Sequence, residues 1–219
     1  MSALPDRTHD PLSDVLFRPT SAGVVSSAVR AKAQELTRHA GAPPRPGNVM
    51  ARSHDAILRG AARAVETSGS RISMSQVAAE AGVAKATLYN HFRTRDDVLR
   101  ALLLDELDRI IAEISHLQLA RALARAAATI SGHPLLEALG ARDSEMLAQL
   151  ARVDVRSAGW LRVAEATDVL LARHGRRGGP TVLRWLSSFI VVPADDEDIY
   201  ADVEVLIDGL PPLSPRSQG

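Results

Sequence analysis

The chain has 219 residues, 46% of them hydrophobic, which is apolar material enough for one or two folded domains and excludes disorder throughout. It has no cysteine, hence no disulfide framework, thiolate nucleophile or cysteine zinc site, and its formal net charge of zero conceals a split: residues 1–100 hold 14 Lys and Arg against 9 Asp and Glu, and residues 101–219 hold 12 against 17. A basic front half and an acidic back half point to one end that meets an anion, whereas the lack of an apolar run near about 18 residues, and the Asp6, Asp10 and Asp14 of the first segment, predict neither a membrane span nor a secretory signal.

Residues 1–49 read as a weakly ordered extension and linker. One short amphipathic helix fits Val25, Val29, Lys32 and Leu36, and GAPPRPGN at 41–48 then breaks regular structure. Met50 follows at once, so a translation start there is one expectation for this segment. The other is a basic arm through Arg38, Arg45 and Arg52 that touches DNA.

From residue 53 the pattern is helical. Ser53 is placed as the cap of a first helix carrying Ile57, Leu58, Ala61, Ala62 and Val65 and ending at Gly69. Ser73, with Gln76 three residues on in the capping-box arrangement, opens a second helix whose small apolar face is Val77, Ala78 and Ala81; Gly82 ends it. A third short helix runs from Lys85 to about Phe92 and pairs Leu88 with Phe92. Thr94, with Asp96 and Asp97 in the next turn, caps a fourth, whose buried face is Val98, Leu99, Leu102, Leu103, Leu107, Ile110, Ile111 and Ile114. Further helices are predicted at 117–130, 134–152, 157–174, 180–192 and 196–209, with no alternating strand and no internal repeat, and 211–219 reads as a frayed tail.

Two helices of about eight residues joined by a glycine-containing turn follow helix-turn-helix grammar, in which the second helix enters a DNA major groove. Val77, Ala81, Val83, Leu88 and Phe92 form the small core that sets the angle, around the turn at Gly82. Lys85, Ala86, Thr87, Tyr89, Asn90 and His91 remain on the other face: a cation, hydroxyl and imidazole donors for phosphate oxygens, and a small residue that lets the backbone approach. Arg95 adds a cation at the start of the fourth helix, where free amides already favour phosphate.

The stretch SMSQVAAEAGVAKATLYNHFRTRDDVL resembles the N-terminal domain of TetR-family transcriptional regulators at Ser73, Val77, Ala78, Ala81, Gly82, Val83, Thr87, Leu88, Tyr89, His91, Phe92, Arg95, Asp96 and Leu99. The resemblance implies that Lys85, Ala86, Thr87, Tyr89, His91 and Arg95, with Ser75 at the exposed start of the second helix, fall on DNA-contacting positions. Two residues depart from the pattern: Ala84 stands where a capping serine is frequent, and Arg95 replaces a lysine.

The fold expected is all-α: a weakly ordered 1–49, a three-helix DNA-binding domain with the helix-turn-helix at 50–100, and a helical effector-binding and dimerisation domain at 101–210 ahead of the 211–219 tail. The last two helices resemble those that pair with a second subunit in the family, and Leu183, Leu186, Phe189, Ile190 and Val205 are taken as that interface, because α-helical residues 182–191 carry more apolar side chains than one face holds. His133, Met146, Leu150, Trp160 and Leu161, with Leu117, Leu136 and Ala164, are candidates for an effector pocket.

No acid–base pair or nucleophile marks an enzyme. His133 and Glu137 lie four apart without a third ligand at metal spacing, the GRRGGP loop lacks the ending of a phosphate-binding loop, and the acidic run at 195–198 suits a helix start; no metal and no cofactor is expected. The resemblance thus implies a cytoplasmic bacterial protein with double-stranded operator DNA, an unidentified small-molecule effector and a second copy of itself as partners, most simply a repressor on a palindromic operator. The alternative is a helical interaction or ligand-binding module that has lost DNA binding.

Overall fold

The computed structural model describes residues 46–213, with side chains from Met50 onward. Ten helices occupy them: α1 Pro46–Ser68, α2 Met74–Ala81, α3 Lys85–His91, α4 Arg95–Ile114, α5 Leu119–Ser131, α6 Pro134–Arg142, α7 Ser144–Ala151, α8 Ala158–Arg173, α9 Gly179–Val191 and α10 Asp196–Gly209. The all-α expectation holds: among the described residues the sole β feature is one isolated antiparallel bridge, Arg176 to Pro212. The helix expected around Val25 to Leu36, the basic residues Arg38 and Arg45, and the tail from 214 lie outside the described residues.

Two boundaries differ from expectation. α1 begins at Pro46, so part of the supposed break at 41–48 is helical and Ser53 lies inside the helix instead of capping it. A proline at the first helical position has no amide to lose and its φ is already helical, which is why a proline-rich run here starts a helix as readily as it stops one. The single helix expected at 134–152 is two, broken at Asp143, whose backbone leaves the helical region (φ −155°, ψ 67°) and whose side chain accepts from the Met146 amide to cap α7.

The first four helices form a head. Ile57, Leu58, Ala61, Ala64 and Val65 bury one stripe of α1 against Val77, Ala78, Leu88, Val98, Leu99 and Leu102. The α1–α2 crossing is close because Gly60 faces Ala81: a Cβ on Gly60 would stand 2.5 Å from the Ala81 backbone nitrogen. Arg63 and Glu80 clasp the same crossing at 3.2 Å. Ser73 caps α2 by accepting from the Gln76 amide. The reciprocal half of the expected capping box is not made, since the Gln76 amide group donates to Ser68 at 2.9 Å and ties the end of α1 to the start of α2. α2 stops at Gly82 in the left-handed region (φ +66°), with Val83 N–H donating to Ala78 O at 3.1 Å, the bond that closes a Schellman turn. Thr94 and Asp97 form a complete capping box for α4.

The second core joins α5, α8, α9 and α10 around Ala122, Leu123, Ala126, Ala127, Leu171, Val182, Ile199 and Val203. Truncating a fully buried leucine here, such as Leu171, costs about 2–5 kcal/mol. α6 and α7 lie between the two cores: Leu135, Leu139 and Met146 pack into the core of the head, and α7 also packs on α9.

Residues 211–213, expected to fray, are strapped to the loop after α8. Arg177 N–H donates to Pro211 O at 3.0 Å, Leu213 N–H to Gly175 O at 2.7 Å, and the Arg176 guanidinium to Leu210 O at 2.8 Å. No helix among the described residues is long and apolar enough to cross a membrane.

Candidate nucleic-acid interface and ligand cavity

α3 is a seven-residue helix held by one anchor. Leu88 is fully buried, whereas Lys85, Ala86, Tyr89 and Asn90 are exposed, Tyr89 to 51%. Ala84 precedes it with no side-chain capping bond, as the bare position in the sequence implies. Ser75 is exposed at the start of α2 and Thr87 is half-buried.

Positive charge on this side is uncommitted. Lys85 and Arg93 are exposed and form no ion pair among the described residues, while nearby acids are occupied: Glu80 by Arg63, Asp97 by Thr94, and Asp96 by Arg95 at 3.2 Å. Arg95 is therefore half-committed within its own helix. His91 also differs from its expected outward placement, being half-buried between α1 and α3, 6.0 Å from the His54 ring and 6.3 Å from Phe92, so it packs as well as presenting a polar edge. His54 was not legible as a site neighbour, because its contact forms only when α1 crosses α3. Of the proposed small core, Val77, Leu88 and Phe92 are buried, Ala81 and Val83 pack against them half-buried, and Gly82 serves through its backbone.

Behind the head, α4 to α9 line an open cavity of about 150 Å³. Leu103, Leu104, Leu107 and Ile110 of α4 form one wall, and Ile130, Leu136, Leu150, Trp160, Val163 and Ile190 form much of the rest. Of the expected pocket residues, His133, Leu136, Leu150 and Trp160 line it. Met146 instead lines a void of about 20 Å³ in the core of the head, Leu161, Leu117 and Ala164 line neither, and Leu117 packs on the second core.

The polar groups of the cavity are mostly paired. Trp160 donates its indole N–H to Leu150 O at 3.2 Å, and Ser157 donates to Asp154 O at 2.8 Å. His133 caps α6, its Nδ1 accepting from Leu135 N–H at 3.3 Å, which leaves the proton on Nε2, 3.8 Å from Glu106. The sequence neighbour Glu137 is not its partner. His133 draws the Glu106 carboxyl below its ordinary pKa, burial works against that, and Arg109 at 3.2 Å adds to the lowering. Arg100 lines the cavity with its Nε buried and unpartnered. Nothing in the sequence singled out Arg100, since an arginine on a helix is usually solvated.

The expected dimer residues separate. Leu183, Leu186 and Phe189 are buried within the chain, because α9 is covered by α5, α7 and α8, so these three are core and not a free surface. Ile190 is half-buried on the cavity wall. Val205 is 76% exposed, and Val191, Val192 and Tyr200 are the other exposed large apolar residues of α9, α10 and their connection. Trp185 packs edge-on against Phe189 at 4.9 Å and reaches Asp202 at 3.4 Å, joining α9 to α10 inside one chain.

Among curated proteins none matches the chain. Among solved structures, one from work on the control of antibiotic production by bacterial hormones aligns with 19% identity over 73% of this chain and 97% of its own, at a TM-score of 0.51. A protein from Rhodococcus sp. assigned to the TetR family of transcriptional regulators aligns with 24% identity over 72% of this chain and 97% of its own, at a TM-score of 0.50. These likenesses concern the fold. The family model of the bacterial regulatory proteins, tetR family, matches residues 57–102, the span from the buried stripe of α1 through α2 and α3 into α4. Over those residues the head of this chain is similar to the N-terminal domain of the tetR family of bacterial regulatory proteins.

Proposed function

We propose that the chain is a cytoplasmic regulator of transcription that binds double-stranded DNA through α3 as a homodimer and responds to a small molecule held in the 150 Å³ cavity. The observation that carries this is the outward face of α3: Lys85, Ala86, Tyr89 and Asn90 exposed on a short helix pinned by Leu88, beside acids already engaged elsewhere. Lys85 supplies charge for phosphate, Tyr89 and Thr87 donate hydroxyls, and Ala86 lets the helix sit deep in the groove. Ser75, His91 and Arg95 flank that contact.

Exposed Tyr200 and Val205 on α10, with Val191 and Val192, support pairing with a second copy, in which two α3 helices meet half-sites of a palindromic operator. The cavity wall on α4 continues into the head, so a ligand that favours one placement of α4 trades its binding against operator affinity. Such coupling is typically about 1–3 kcal/mol and is reciprocal. The simplest outcome is a repressor released by its effector.

A gel-shift titration with DNA flanking its own gene tests the reading. A discrete complex that survives excess unrelated duplex supports it, whereas no complex at low salt favours a module that keeps the fold without binding DNA.

A further inference from the structure

We infer that the cavity accepts a small apolar acid whose anionic head pairs with Arg100, an inference that rests on the cavity being the effector site. The cavity has hydrocarbon walls and two charged side chains, Arg100 and Glu106, with His133 beside the second. Glu106 is already engaged within the chain, by Arg109 at 3.2 Å, a guanidinium it shares with Asp105 at 2.8 Å, and by His133 at 3.8 Å. Arg100 has no such compensation: among the described residues it makes no ion pair and its buried Nε has no acceptor. Buried donors in folded proteins nearly always have partners, and one left open at the wall of a cavity marks where an acceptor is missing. A guanidinium calls for a carboxylate, which it binds in a planar, charge-assisted geometry.

Size sets the choice of probe. A space of roughly 150 Å³ holds a molecule about the size of benzene, so an acid with one ring is a probe that fits it. Arg100 also stands only five residues past Arg95 at the start of α4, at the end of the cavity nearest the head. An acid paired there acts on the helix that links the cavity to α3.

Isothermal titration of the full-length chain with benzoate, benzamide and benzylamine separates the possibilities. Benzoate is expected to bind about tenfold or more tightly than benzamide, with Arg100→Met reducing the two to near equality. Arg100→Lys, which keeps the charge, is expected to retain the preference and serves if the methionine variant does not fold. Equal binding of benzoate and benzamide, tightest binding of benzylamine, or a benzoate preference unchanged in Arg100→Met overturns the acid assignment while leaving a ligand-holding cavity in place. Failure of all three probes to bind overturns both.

Discussion

Ser70, in the turn between α1 and α2, donates its hydroxyl to one oxygen of Asp143, and the other oxygen of the same carboxylate accepts from the Met146 amide at 3.2 Å. One side chain thus caps α7 and holds the head. α6, which ends at Asp143, places Leu135 and Leu136 on the cavity and Leu135 and Leu139 in the core of the head. The head therefore has two attachments to the cavity, the continuous α4 and the α6–α7 corner.

Removing either partner of that bond is expected to loosen the corner. Asp143→Ala loses a helix cap as well as the contact to Ser70, for about 1–2 kcal/mol, and Ser70→Ala costs about 1 kcal/mol. In urea denaturation the double variant is expected to be less destabilised than the sum of the two, because both remove the same bond. Strict additivity shows that the contact carries no energy.

Gly60→Ala tests the α1–α2 crossing. The added methyl meets the Ala81 backbone at 2.5 Å, and backbone does not swing aside as a flexible side chain does. Overpacking of this kind costs about 1–3 kcal/mol. Thermal melts read the loss, and DNA affinity is expected to fall with it because α2 carries α3.

Tyr89→Phe is expected to weaken operator binding by about 1 kcal/mol, a single hydrogen bond, and Lys85→Ala to reduce the slope of log affinity against log salt by about one unit. Ala84→Ser supplies the missing cap and is expected to stabilise the protein by about 1 kcal/mol. Fluorescence anisotropy and denaturation measure the three. Unchanged affinity and salt slope in both surface variants removes α3 from the interface.

Glu106 carries a pH dependence. Its folded pKa is lowered, first by His133, so on acidification the unfolded chain takes up the proton before the folded one does. Its stabilisation is full above the ordinary glutamate value of about 4.3 and is lost as pH falls through the lower folded value. Glu106→Gln is expected to flatten the acid limb of stability against pH in that window, without altering the DNA-facing surface. A limb of unchanged slope shows that the His133 and Arg109 contacts do not matter to folding.

The head was legible because its signals are local. Ser73, Gly82 and Thr94 mark ends within one or two residues; of the apolar face expected on α4, Val98, Leu99 and Leu102 are buried in the head, whereas Leu103, Leu107 and Ile110 line the cavity and Ile111 and Ile114 are half-buried. What escaped depends on tertiary contact. Apolar residues all round α9 show that it is covered but not by what, and the cover proves to be α5, α7 and α8 of the same chain for Leu183, Leu186 and Phe189. The break at Asp143 carried its cap signal in Asp143 and Ser144, overshadowed by the apolar pattern running from Leu135 to Leu150. His91 is divided between two roles because α1 delivers His54 to its ring, and Arg100 stands out only once a cavity is found beside it.

Hydroxyl-radical footprinting of DNA flanking the gene tests most directly whether α3 of two copies reads an operator. Two protected half-sites on one face of the duplex, about 34 Å apart or a multiple of it and both lost with Lys85→Ala and Tyr89→Phe combined, are the expected result. Continuous or absent protection, or two half-sites that persist in the double variant, contradicts it.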